Sequence, residues 1–247
     1  MDIRQYLDST YLKTAGEAGL TEVENFHVVK AVIAEAIAEK FKLVMVRPEI
    51  VAIAKEMIMV AGSKVDVGTV IDFPSGTGSL DAKLAEAGEA ISNGADDLDF
   101  VINYTAFKNR DINKVKQEVL ECTRLGLDNG RIVKWIIEVA ALTQHEIVQL
   151  SALVKNVVLS HFRETDYARV FVKSSTGFYQ TPEGQPNGAT VEAIKLMVEN
   201  AWPLPVKAAG GVRSYDEALQ MIELGVKRIG TSSAKAIADG GKGLEGY

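Results

Sequence analysis

Two lysines in this chain end short apolar runs, and reactivity is expected where they sit. Lys173 closes Val170-Phe171-Val172 and is followed by Ser174, Ser175, Thr176 and Gly177; Lys207 follows Pro205-Val206 and precedes Ala208-Ala209-Gly210-Gly211. A lysine drawn among apolar neighbours needs a partner or loses its proton, because desolvation penalises the ammonium form. Without that burial it reaches water along its aliphatic stem, which is the bland reading of any single strand-end lysine. Two lysines held close together also repel, so each disfavours protonation of the other and one amine can stay neutral near physiological pH. A neutral amine attacks a carbonyl to give a Schiff base. Once protonated, the Schiff base takes up the electrons of a breaking neighbouring carbon–carbon bond as an enamine. Such a site also needs a carboxylate that moves protons through a water. Asp99, in Asp97-Leu98-Asp99-Phe100-Val101, is the candidate, with a structural partnership to a lysine as its other reading.

The elements that would position these groups recur along the chain. Strand-like runs at 8–10, 42–46, 64–71, 97–102, 132–138, 169–173, 206–209 and 228–230 alternate with segments of helical periodicity. Thr21 with Glu24, Thr143 with Glu146 and Ser214 with Glu217 mark helix starts as capping boxes, and Asn93-Gly94 and Leu224-Gly225 mark helix ends. Further helices are expected over 49–60, 111–125 and 190–200, and another carries Leu80, Leu84, Ala87 and Ile91. Eight rounds at a period of about thirty residues, with mostly short joins, predict an α/β fold: a single (β/α)8 barrel over 1–247 rather than an open doubly wound sheet. Alternate strand residues then point inward, and the C-terminal strand ends share one mouth. Asp99, Lys134, Glu138, Lys173 and Lys207 come from strands four to seven. They would meet there and pair, because unpaired charges aimed into a packed barrel are expensive.

The loops and composition narrow the chemistry. Gly210-Gly211 after strand seven and Gly230-Thr231-Ser232-Ser233 after strand eight fall where barrels bind phosphate on backbone N–H groups. The turn-rich stretch 179–188 is a candidate lid or a passive surface loop, and 156–166 reads as a polar join between helix and strand. A net charge of -6 argues against a nucleic-acid partner but leaves a small phosphorylated metabolite open. His27, His145 and His161 are scattered over helices or a join, and the single Cys122 follows Val115 and Val119 at helical spacing, so no metal site is expected. No Gly-x-Gly-x-x-Gly follows the first strand, which leaves a dinucleotide cofactor without support. No apolar run is long enough for a membrane span and the start has no apolar signal core, so a cytoplasmic protein is expected.

Seven segments, at 7–10, 67–76, 94–99, 134–138, 172–178, 206–212 and 228–233, are similar in order and spacing to the deoxyribose-phosphate aldolase family, class I aldolases built on a (β/α)8 barrel. The resemblance implies that Lys173 forms the Schiff base, that Lys207 perturbs it, and that Asp99 is the acid/base. It implies reversible cleavage of 2-deoxy-D-ribose 5-phosphate to D-glyceraldehyde 3-phosphate and acetaldehyde, with neither metal nor organic cofactor. It also implies phosphate binding by Gly210, Gly211, Gly230, Ser232 and Ser233, with Thr176 and Gly177 near the same end, and a pocket shaped by Thr10 and Lys134. Partners would be a small phosphorylated sugar and short aldehydes, and a homodimer is compatible with the sequence. The chain departs from the usual pattern at Ser174 in place of threonine, Met45 in place of a frequent cysteine and Asp72 in place of a common glycine. Its 179–187 loop is longer than the usual turn, and it ends in Tyr247, as some members end in a functional tyrosine. Two other readings stay open: a Schiff-base aldolase or transaldolase for another phosphosugar, and a barrel that binds a phosphosugar without turning it over. Lys173, Asp99 and Lys207 together weigh against the latter, because a mere binder has no need of three desolvated charges.

Overall fold

Eight short runs, rich in valine and isoleucine and closed by polar groups, become the strands of one sheet. They are β1 (Leu7–Thr10), β2 (Leu43–Val46), β3 (Asp66–Ile71), β4 (Asp97–Val101), β5 (Ile132–Ile136), β6 (Val170–Lys173), β7 (Val206–Ala209) and β8 (Arg228–Thr231). The computed structural model of the chain describes residues 1–183 and 185–243, so Tyr247 lies outside the described residues. Every strand pairs in parallel with its sequence neighbours and β8 pairs with β1, closing the barrel in chain order. Parallel strands buried on both faces read as near-continuous apolar runs, which is why the sequence marks them so clearly.

The helices that cover this barrel are α1 (Ala15–Ala18), α2 (Glu22–Glu39), α3 (Val51–Val60), α4 (Leu80–Ser92), α5 (Tyr104–Lys108), α6 (Ile112–Asp128), α7 (Gln144–His161), α8 (Val191–Ala201), α9 (Tyr215–Glu223) and α10 (Ala234–Ala238). All three capping boxes read from the sequence form, at the starts of α2, α7 and α9. One expectation needs correction. The stretch 156–166 is not a join, because α7 runs on through His161 and a 3-10 segment (Glu164–Arg169) follows. Val157 and Val158 are buried on the face that Leu150 and Val154 began, and that apolar face carries the helix past its polar residues. No helix among the described residues is long and apolar enough to cross a membrane.

Alternation along the strands divides the side chains into two sets. Leu7, Val44, Val46, Val67, Leu98, Phe100, Val133, Trp135, Val172, Val206, Ala208 and Ile229 join the large core between barrel and helices. The barrel interior is itself split. Leu43, Met45 and Val70 form a small apolar cluster with Leu12, against which Phe73 and Phe178 pack. On the other side the buried set is charged: Asp8, Asp97, Asp99, Lys134, Lys173, Lys207 and Arg228.

A separate buried ion pair fixes the wall. Lys83 of α4, fully buried, donates to Glu118 Oε2 at 2.7 Å and to the carbonyls of Gly76 and Val101 at 3.1 Å each. It thereby ties the loop after β3 and the end of β4 to α6. Removing one partner leaves Glu118 buried and uncompensated, so Lys83→Met is expected to lower unfolding free energy by about 3–5 kcal/mol in urea denaturation. The same loop begins at Asp72, whose φ of 54° lies in the left-handed region that favours glycine. Its carboxylate accepts the Gly78 N–H at 2.8 Å, and its own N–H donates to Glu86 Oε2 at 2.8 Å. Those two bonds hold an aspartate in a backbone conformation that favours glycine.

Candidate active site

Strand register brings the charges together at the C-terminal end of the barrel. Asp99 pairs with Lys134 across β4 and β5, Lys173 with Lys207 across β6 and β7, and Lys207 with Arg228 across β7 and β8. In-register residues of parallel strands point the same way, so each pair meets inside the barrel. Asp99 is the hub: Oδ1 accepts from Lys134 at 2.7 Å, and Oδ2 accepts from both Lys173 and Lys207 at 2.9 Å. Lys134 also donates to Asp97 Oδ2 at 2.7 Å. Arg228 Nε donates to Asp8 Oδ1 at 2.7 Å, and its terminal nitrogen reaches Asp97 Oδ2 at 3.3 Å. Lys207 also lies 2.6 Å from Asp8 Oδ2, a close buried ion pair.

Burial is the largest single influence on Asp8, Asp97, Asp99, Lys134, Lys173 and Arg228, and its balance against the charged partners sets the direction of each. Burial pulls the Lys173 amine down to about 8; Lys207 and Lys134 push the same way, against the opposing pull of Asp99. Burial alone would raise the Asp99 carboxyl, yet Lys134, Lys173 and Lys207 hold it well below the usual carboxylate range. Asp8 is lowered too, because Arg228, Lys207 and Lys134 together outweigh its burial. Lys134 goes up: burial would lower it, but Asp97, Asp99 and Asp8 prevail. Asp97 is raised by burial despite Lys134 and Arg228, and its Oδ1 has no hydrogen-bond partner among the described residues.

A cavity opens above this cluster, walled by Thr10, Leu12, Lys173, Thr176, Gly177, Asn187, Gly210, Gly211, Gly230 and Ser232 among others. Lys173 is the one charged member of the cluster that reaches it. Of the residues expected to bind substrate, Lys134 lies beneath Asp99 and Ser233 is set back from the cavity, while the rest line it. Ser174 explains its own tolerance. Its hydroxyl donates to the Ala209 carbonyl at 2.7 Å and accepts the Ala209 N–H at 2.9 Å, bridging β6 to β7 as a threonine hydroxyl would. Gly230 has a packing reason as well, since a Cβ there would stand 3.0 Å from Lys207 Cε. The 179–187 loop returns at Asn187, whose carbonyl accepts from Ser175 at 2.6 Å and whose side chain donates to the Gly177 carbonyl at 3.2 Å. The next residue, Gly188, abuts the Gly210 backbone so closely that no side chain fits.

Sequence reasoning missed three members of the cluster. Asp8, Asp97 and Arg228 stood inside the recognised segments without a role, although each is a charge in or beside an apolar run. The available signal was alternation: Asp97 and Asp99 are two apart on one strand, so a partner for one demands a partner for the other. Glu138 was named as part of the constellation and proves to be an anchor. It sits at φ 56° just past β5, is buried, and accepts from Ser175 Oγ at 2.8 Å and from the Thr176 N–H at 3.2 Å and hydroxyl. Burial raises its carboxyl above the usual range, and those three bonds offset that only in part.

Comparison with known proteins agrees with this arrangement. Residues 5–240 match the model of the DeoC/LacD family aldolases. A deoxyribose-phosphate aldolase of Thermococcus gammatolerans is 39% identical over 246 residues, covering 99% of each chain. One from Enterococcus faecalis is 38% identical over 249 residues, covering 100% of each. Among solved structures, the tetrameric deoxyribose phosphate aldolase of Aeropyrum pernix superposes with a TM-score of 0.77 at 26% identity, over 96% of this chain and 89% of that one. Barrel, buried lysine cluster and full-length similarity converge, and the chain belongs to the DeoC/LacD family of aldolases.

Proposed function

We propose that this chain, acting as one catalytic unit, reversibly cleaves 2-deoxy-D-ribose 5-phosphate to D-glyceraldehyde 3-phosphate and acetaldehyde, with Lys173 as the Schiff-base nucleophile. The observation that carries the proposal is Lys173 itself, the cluster's only opening to the cavity, with an amine lowered to about 8. A meaningful neutral fraction then exists near neutral pH, and the amine attacks the C1 aldehyde of the open-chain sugar. Loss of water leaves an iminium. The C3 hydroxyl gives up its proton, the C2–C3 bond breaks, and its electrons pass to the C1–nitrogen unit as an enamine. Protonation at C2 followed by hydrolysis releases acetaldehyde and restores Lys173. Asp99, working with a water, moves these protons, while Lys207 and Lys134 hold it in place. The sugar phosphate would lie against Gly210, Gly211, Gly230 and Ser232, next to Thr176 and Gly177, with Ser233 supporting from behind and Thr10 on the opposite wall.

Incubation with acetaldehyde and borohydride is expected to leave an adduct on the peptide that contains Lys173. A folded protein that yields no adduct there would end the Schiff-base reading. Substrate is tested separately, by coupled assay of deoxyribose 5-phosphate against ribose 5-phosphate. Strong preference for the deoxy sugar is expected, and equal rates would assign the site to another phosphosugar.

A further inference from the structure

The ion pairs beneath the cavity close on themselves. From Arg228 to Asp8 is 2.6 Å, Asp8 to Lys207 2.6 Å, Lys207 to Asp99 2.9 Å, Asp99 to Lys134 2.7 Å, Lys134 to Asp97 2.7 Å, and Asp97 back to Arg228 3.3 Å. Six side chains from β1, β4, β5, β7 and β8 thus form a ring of alternating sign, in which each cation touches two carboxylates and each carboxylate two cations. The ring holds three positive and three negative groups and is neutral by itself. Lys173 is outside it, a seventh charged group attached only through Asp99 Oδ2, an oxygen that Lys207 already shares. Every other cation of the cluster has two carboxylates, and Lys173 has a share in one.

We propose that Arg228 is a positioning residue for the reaction: by closing the ring it leaves Lys173 as the one surplus cation, so that this cluster of seven ion-paired groups is electroneutral only when that amine is unprotonated. The inference rests on Lys173 being the nucleophile, as proposed above. Arg228 does not line the cavity, and its guanidinium stays charged at any pH the protein meets, so it acts only through the charge count. The charged groups that face it are Asp8 from β1, Asp97 and Asp99 from β4, Lys134 from β5 and Lys207 from β7. Those that face Lys173 are Asp99 from β4, Lys207 from β7, Lys134 from β5 and, beyond β5, Glu138. Removing a ring cation would make Lys173 the needed third positive charge and raise its proton affinity. Removing a ring carboxylate would do the reverse. A group that merely braces the barrel predicts neither sign.

The test is the pH dependence of borohydride-trapped acetaldehyde adduct at Lys173, whose midpoint in the unaltered protein is expected near 8. Arg228→Met should move the midpoint up by about one pH unit or more, and Asp97→Asn down by a similar amount. The double variant, neutral again, should return close to the original midpoint, and Arg228→Lys should hold it. Circular dichroism verifies folding of each variant. If Arg228→Met does not fold, the downward shift in Asp97→Asn and its reversal in the double variant decide the matter. An unmoved midpoint in Asp97→Asn, or shifts of the same sign in both single variants, would overturn the ring. No adduct in the unaltered protein would instead overturn the Schiff-base reading, so the two failures are distinct.

Discussion

Lys173→Ala is expected to reduce turnover of deoxyribose 5-phosphate by about four orders of magnitude or more and to leave no trappable adduct. Loss of a covalent nucleophile removes the route itself, and single knock-outs of such groups reach that size. The fold should survive. Asp99 keeps Lys134 and Lys207, and the ring beneath it stays closed. Stability should in fact rise when the stem is retained as Lys173→Met, for a reason of linkage. The Lys173 amine titrates near 8 in the folded protein against 10.5 in a free chain, so folding weakens its hold on a proton. That is a penalty on the native state, complete below about pH 8, fading as pH rises toward 10.5 and absent above it. At pH 7 it amounts to about 3 kcal/mol. Urea unfolding of Lys173→Met against the unaltered protein should show the gain at pH 7 and its disappearance near pH 10.5. A variant that is less stable at pH 7 would mean that Lys173 is held as a settled ammonium, and its proposed role would fall with that.

The barrel was legible because its strands are buried on both sides. Runs such as Leu43–Val46 and Val170–Lys173 have no reason to be so apolar unless helices cover one face and a core the other. Lys173, Lys207 and Asp99 were legible for the opposite reason, as charges that break such runs. What could not be read was the partition among them. Strand register decides that Lys134 lies beside Asp99 and Arg228 beside Lys207, and register depends on barrel closure, which no local pattern encodes. Lys134 was accordingly expected at the pocket wall and is found beneath it. The short helices α1 and α5 escaped notice because four or five residues carry too little periodicity to detect. The Lys83–Glu118 pair escaped because a lysine and a glutamate on two different helices look like solvated surface until the helices are packed together.

Asp99→Asn should separate Schiff-base formation from carbon–carbon bond cleavage. Asp99 opposes burial at Lys173 by favouring its ammonium form, so deleting the negative charge should lower the pH at which the amine becomes neutral. Schiff-base trapping with acetaldehyde should then persist, with its midpoint displaced to lower pH. Turnover should nevertheless fall by about 10²–10⁴-fold, because the amide can no longer carry protons between water, the C3 hydroxyl and C2. Stability should fall as well, by about 3–5 kcal/mol, since Lys134 and Lys207 lose the carboxylate between them and Lys134 is left with Asp97 alone. The combination is diagnostic: a nucleophile that forms its adduct more readily in an enzyme that cleaves almost nothing. If Asp99 were only a structural partner of the lysines, trapping and turnover would decline in parallel as the fold weakened. Measured on one preparation across pH 5–10, adduct yield and cleavage rate must therefore diverge for Asp99 to be the proton carrier, and coincident profiles would reduce it to a brace.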